Sequence, residues 1–111
     1  LIPSTTLAVF KSPDGASLVK VEAVGPRPAD GLAAFVERSL GQDLVLSRQI
    51  LTVHGLPAER VVAYSQLAGG QVTTFYIDDN GSIFVVTGIG EQKSIELIAR
   101  SFNGPLAVAQ R

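Results

Sequence analysis

Apolar and polar residues alternate from the start of the chain. Between Ala16 and Val24, Val19, Val21 and Ala23 fall on one parity, and Leu18, Lys20, Glu22 and Val24 on the other. Side chains of a strand point to opposite faces in turn, so the pattern predicts a strand with its odd-numbered face buried and Lys20 and Glu22 in water. A similar β-branched and apolar run covers Thr5 to Phe10, and Ser12-Pro13-Asp14-Gly15 lies between the two. Pro presets a turn torsion and Gly accepts positive φ, so the two runs read as a hairpin. Gly25-Pro26-Arg27-Pro28 then stops the sheet, because two prolines withhold backbone donors.

From Gly31 the period changes. Leu32, Phe35, Val36 and Leu40 recur at helical spacing, with Asp30 placed as N-cap and Gly41 suited to the left-handed residue that follows a last turn. Strand patterns return over Leu44 to Gly55 and Glu59 to Leu67, joined at Gly55-Leu56-Pro57 and predicted to pair. Val72 to Asp78 and Ser82 to Ile89 follow, linked by Asp79-Asn80-Gly81, where Asn and Gly both tolerate the positive φ of a tight hairpin turn. Ile95, Ile98, Ala99 and Phe102 then mark a second helix over Glu91 to Phe102, ended by Gly104-Pro105. The expected fold class is α+β: an antiparallel sheet of about six strands in the order β-β-α-β-β-β-β-α, with two packed helices. Without a repeat or linker, residues 1–111 form a single domain, with a loose tail from Leu106.

Composition narrows the function. The chain is 46% hydrophobic and 17% charged, which supports a packed core and not a disordered segment. A net charge of −1, with Lys and Arg scattered singly, leaves no basic stripe for a phosphate backbone, so no nucleic-acid partner is expected. No apolar run is long enough to span a bilayer, and membrane insertion is not expected. Zero Cys removes disulfides, thiolate metal sites and thiol nucleophiles. The chain begins at Leu1 and contains no Met, which suggests a fragment of a longer protein.

Four constellations carry possible chemistry, and each has a simpler structural explanation. His54, the one histidine, becomes a general base only if an acid and a hydroxyl converge on it, and no G-x-S-x-G elbow singles out a serine. Asp78, Asp79 and Asn80 resemble an oxygen cluster for Ca²⁺ but lack the rest of a calcium loop, so turn chemistry accounts for them. Gly88-Ile89-Gly90 before a helix lacks the third glycine of a dinucleotide cradle, and Glu91 there repels an anion. Phe75 and Tyr76 are adjacent and must face opposite sides, so with Tyr64 and Phe84 they read as cross-strand packing and not as a stacking platform. Catalytic, metal and cofactor-binding residues are therefore assigned as none, and no cofactor is expected.

Two segments carry a family resemblance: Leu51 to Ala63 and Ile95 to Leu106. His54-Gly55-Leu56-Pro57-Ala58 resembles the strand corner, and Ile98-Ala99-Arg100-Ser101-Phe102 the helix end, of the small C-terminal domain of bacterial HtpX-like zinc metalloproteases, with Asn103 where that family usually has Arg. The topology also resembles the PsbP-like fold of photosystem accessory proteins and bacterial lipoproteins. The resemblance implies a non-catalytic accessory domain, periplasmic or otherwise extracytoplasmic, whose partner is a protein: the catalytic domain of its parent chain or that domain's substrate. The zinc-binding H-E-x-x-H of such a protease then belongs upstream, since one histidine cannot supply it. The alternative is a stand-alone PsbP-like or lipoprotein-type module binding a small ligand in a cleft lined by Phe35, Phe75 or Phe84. A hydrolase centred on His54 is the third reading.

Overall fold

The computed structural model describes residues 5–11, 17–41, 43–66, 69–90 and 92–100. Six strands and two short helices follow one another along the chain: β1 (Thr5–Lys11), β2 (Leu18–Pro26), α1 (Gly31–Leu40), β3 (Leu44–Val53), β4 (Leu56–Ser65), β5 (Gly70–Asp79), β6 (Ser82–Ile89) and α2 (Gln92–Arg100). All strands join one antiparallel sheet in the spatial order β1-β2-β6-β5-β4-β3, so β1 and β3 are its edges.

This corrects the fold class. The molecule is mostly sheet and only 18% helical, so it is not the expected α+β, PsbP-like domain with two packed helices. The physical reason lies in β5 and β6, which bury residues on both faces. Strands in which successive residues are buried become the body of the core, and ten- and nine-residue helices can cover only part of it.

Two clusters lie on opposite sides of the sheet. Phe75 and Ile77 point to one side, with Val19, Val21, Phe84, Val86, Ile95 and Ala99. Tyr76, between them, points to the other, with Phe35, Val36, Val61, Ile83 and Val85. The first cluster takes in α2 and the second α1. Full burial of each Phe, Ile or Val in these layers contributes about 1.5–3 kcal/mol.

Several boundaries differ from the sequence reading. β2 runs through Pro26, which among the described residues pairs with β6 alone, where its missing donor disturbs no second described ladder. Pro57 likewise sits inside β4 where β5 has not yet begun to pair. Asp30 makes no side-chain cap to α1; its carboxylate accepts from the Arg38 guanidinium at 2.6 and 3.3 Å, which holds Asp30 below the usual carboxylate pKa. Gly41 has the positive φ that glycine permits, at 56°, but with ψ at −119° it is not the left-handed helical cap. Glu22 is half-buried beneath α1 instead of facing water, whereas Lys20 is exposed. The Ser12–Gly15 turn, Leu67 and Ala68, Glu91, Phe102 and the tail lie outside the described residues.

Candidate functional site

The β3–β4 connection is the two-residue turn His54-Gly55, with φ of 50° and 77°. That geometry explains His54: the strand twist favours a turn with both central residues at positive φ. The imidazole is exposed at the turn, and among the described residues no side chain hydrogen-bonds it. Among the described residues there is no group of three or more His, Cys, Asp and Glu that could hold a metal.

Asp78 is occupied from both sides. Its Oδ2 accepts from Arg27 Nη1 at 2.6 Å and its Oδ1 from the Gly81 amide at 2.8 Å, so the carboxylate closes the β5–β6 hairpin and ties it to the end of β2. Asn80, at φ 52°, takes the left-handed turn position. Gly88 has a packing role: a Cβ there would stand 2.5 Å from the Ile95 side chain, so the glycine lets α2 approach β6. The aromatic residues divide as their parity requires. Phe75 and Phe84 are buried on the α2 side, Tyr76 packs edge-on against Phe35 on the α1 side at 6.1 Å, and Tyr64 is exposed.

A cleft of about 190 Å³ opens between α1 and the sheet. Phe35 and Val85 wall it, and Glu22, Thr74, Thr87 and the paired hydroxyls of Ser39 and Tyr76 give it a polar rim. Ser39 Oγ lies 3.0 Å from the Val36 carbonyl and 3.0 Å from the Tyr76 hydroxyl, and its single proton can be donated to either. Burial pushes the Tyr76 phenol up, and its hydrogen bond to Ser39 opposes that shift. The space equals the liquid share of about six waters, at about 30 Å³ each. It is smaller than the roughly 300 Å³ at which ligand pockets begin, and Phe75 and Phe84 do not line it.

The feature that sequence reading missed is the exposure of β3 at the edge of the sheet. Every residue from Leu44 to Ile50 is exposed on the open edge of the sheet, including Leu44 (64%), Val45 (37%), Leu46 (47%) and Ile50 (85%). A bulge between Val45 and Ser47 shifts the register against β4. Beneath the strand, Arg48 donates to both Glu59, buried in β4, and Glu37 of α1, a clamp that fixes the helix to the edge of the sheet. Both carboxylates raise the Arg48 pKa, Glu59 more strongly.

No family model matches this chain. No curated protein matches it significantly. Among solved structures it is similar to PA94 of Pseudomonas aeruginosa, a protein of unknown function described as a candidate regulator. The match has a TM-score of 0.70 at 13% identity and covers 93% of this chain and 85% of that one. At that identity the likeness establishes the fold alone. That description names neither a zinc protease nor a photosystem protein.

Proposed function

We propose that this chain is a non-catalytic accessory domain that joins other protein through the open edge of β3. One observation carries the reading: seven consecutive exposed residues, four of them large and apolar, on a strand whose outer backbone groups no other strand of the described sheet takes up. An unpaired row of N–H and C=O groups is a template for another strand, and natural edges are usually guarded by lysine, proline or inward charge. β3 has no lysine or proline; its single charged residue, Arg48, turns inward to Glu59 and Glu37, and its bulge lies near the start of the strand, before Ser47. Backbone pairing supplies affinity in such strand addition, and alternate side chains supply selectivity.

The resemblance to the C-terminal domain of HtpX-like proteases adds a setting to this reading. The domain works outside the cytoplasm beside a zinc-protease catalytic domain, and contacts that domain or its substrate. The matching corner His54-Gly55-Leu56-Pro57-Ala58 forms the turn from β3 into β4, adjoining the open edge. The codons that precede Leu1 check this setting: H-E-x-x-H upstream supports it, and a complete gene without that motif removes it.

The interaction itself is tested by placing the photo-crosslinking residue p-benzoylphenylalanine at Ile50 in the protein within its own cell. A control carries it at the exposed Lys93 of α2. A defined protein adduct from Ile50 and none from Lys93 supports the reading. No adduct from Ile50, or identical adducts from both positions, contradicts it.

A further inference from the structure

We propose that the strand added to β3 is β3 of a second copy of this chain, running antiparallel about a two-fold axis at Arg48. The inference rests on the edge-interaction reading above and names its partner.

The argument begins with the run Leu44-Val45-Leu46-Ser47-Arg48-Gln49-Ile50-Leu51, which has apolar ends and a polar centre. A two-fold interface needs a surface complementary to itself, and an antiparallel strand pair needs facing residues on the same side of the sheet. In an unbroken strand Leu44 and Leu51, seven apart, fall on opposite sides, and so do Val45 and Ile50, five apart. The bulge changes that. Leu44 pairs with Tyr64 and Leu51 with Ala58, two β4 residues of equal parity, and Val45 and Ile50 pair with Ala63 and Glu59, again of equal parity. The extra residue at Leu46 therefore places Leu44 with Leu51 on the α2 side and Val45 with Ile50 on the α1 side. The strand is self-complementary because of its irregularity.

Pairing about Arg48 sets Val45 of one copy opposite Ile50 of the other, and Leu44 opposite Leu51, each twice. Ser47 then faces Gln49. At the axis the two Arg48 side chains meet, each already held by the Glu59 and Glu37 of its own copy, so neither brings an uncompensated positive charge. The product is a continuous sheet of two six-stranded halves, with both α1 helices on one side and both α2 helices on the other.

Sedimentation equilibrium of the full chain over a concentration series tests this directly. The expected result is a reversible dimer of twice the 11.6 kDa chain mass, with Ile50→Lys and Val45→Lys each weakening association by about tenfold or more. Val9→Lys, on the opposite edge, leaves it unchanged. Circular dichroism confirms that each variant is folded. The register has its own readout, since the chain has no cysteine: an equimolar mixture of Ser47→Cys and Gln49→Cys chains forms the mixed disulfide in preference to either like pair. A monomer at all concentrations, or a dimer indifferent to Ile50→Lys and Val45→Lys, overturns the proposal. If the purified chain is monomeric while Ile50 crosslinks to a different protein, the dimer fails and the interaction reading stands; if Ile50 crosslinks to nothing, both fail.

Discussion

Arg48 does for this molecule what a core residue does elsewhere, although it sits on an edge strand. Glu59 is 4% exposed and depends on that guanidinium for its counter-charge. Removing one partner of a buried pair costs more than the pair contributes, because the remaining charge stays buried. Arg48→Ala should lower stability in dilute solution by about 3 kcal/mol, near the lower limit for such pairs because Arg48 itself keeps some access to water. Adding Glu59→Gln should recover most of the loss, and urea unfolding measures both. Tyr76 gives a pH signature. Its folded pKa is raised, chiefly by burial, so the folded state holds its proton after the unfolded chain has lost it. Stability is therefore intact below the unfolded tyrosine value of about 10 and is lost as pH rises through the folded value. Tyr76→Phe should cost about 1 kcal/mol at pH 7, from the lost hydrogen bond to Ser39, and should flatten the decline above pH 10. His54 has a smaller role: His54→Asn, which suits positive φ, should leave the melting temperature unchanged or slightly higher.

At the scale of elements, α2 is seated by a single glycine. Gly88→Ala drives a methyl into Ile95, and overpacking of this kind costs about 1–3 kcal/mol. Ile95→Ala, which removes both γ-carbons that this methyl would meet, should make the added cost of Gly88→Ala smaller, a coupling visible in a double-mutant cycle and absent if α2 lies elsewhere. The elements themselves were legible where local chemistry decides them. The Asn80-Gly81 turn, the positive φ of Gly41 after α1 and the alternation of Val19 and Val21 each follow from one residue's torsion or one strand's period. What depended on partners was not legible. Arg48 reaches Glu59 and Glu37 across eleven positions each, which no periodicity reports. The bulge at Val45–Ser47 reverses the parity of Leu44 and Val45 against the rest of the strand, so the faces of β3 could not be assigned by alternation. The fold class failed for a related reason. Two amphipathic helical stripes were visible and read as a layer, whereas β5 and β6, apolar on both faces, supply the core that defines the molecule.

For the whole molecule, the cleft beneath α1 and the edge at β3 make different claims on function, and size separates them. The cleft holds about 190 Å³, whereas the edge exposes a run of backbone and apolar side chain the length of a typical strand. Nothing in the mostly-β architecture covers that edge among the described residues, and a self-complementary strand there makes pairing depend on concentration. Amide hydrogen exchange along residues 44–52, followed from dilute to concentrated protein, measures this most directly. The account predicts that the outward-pointing amides of β3, those not bonded to β4, exchange rapidly when dilute and become protected as concentration rises, while the inward amides of β3 and those of Val61 and Phe75, inside the sheet, do not change. Protection of β3 that is the same at every concentration, whether high or absent, would contradict it.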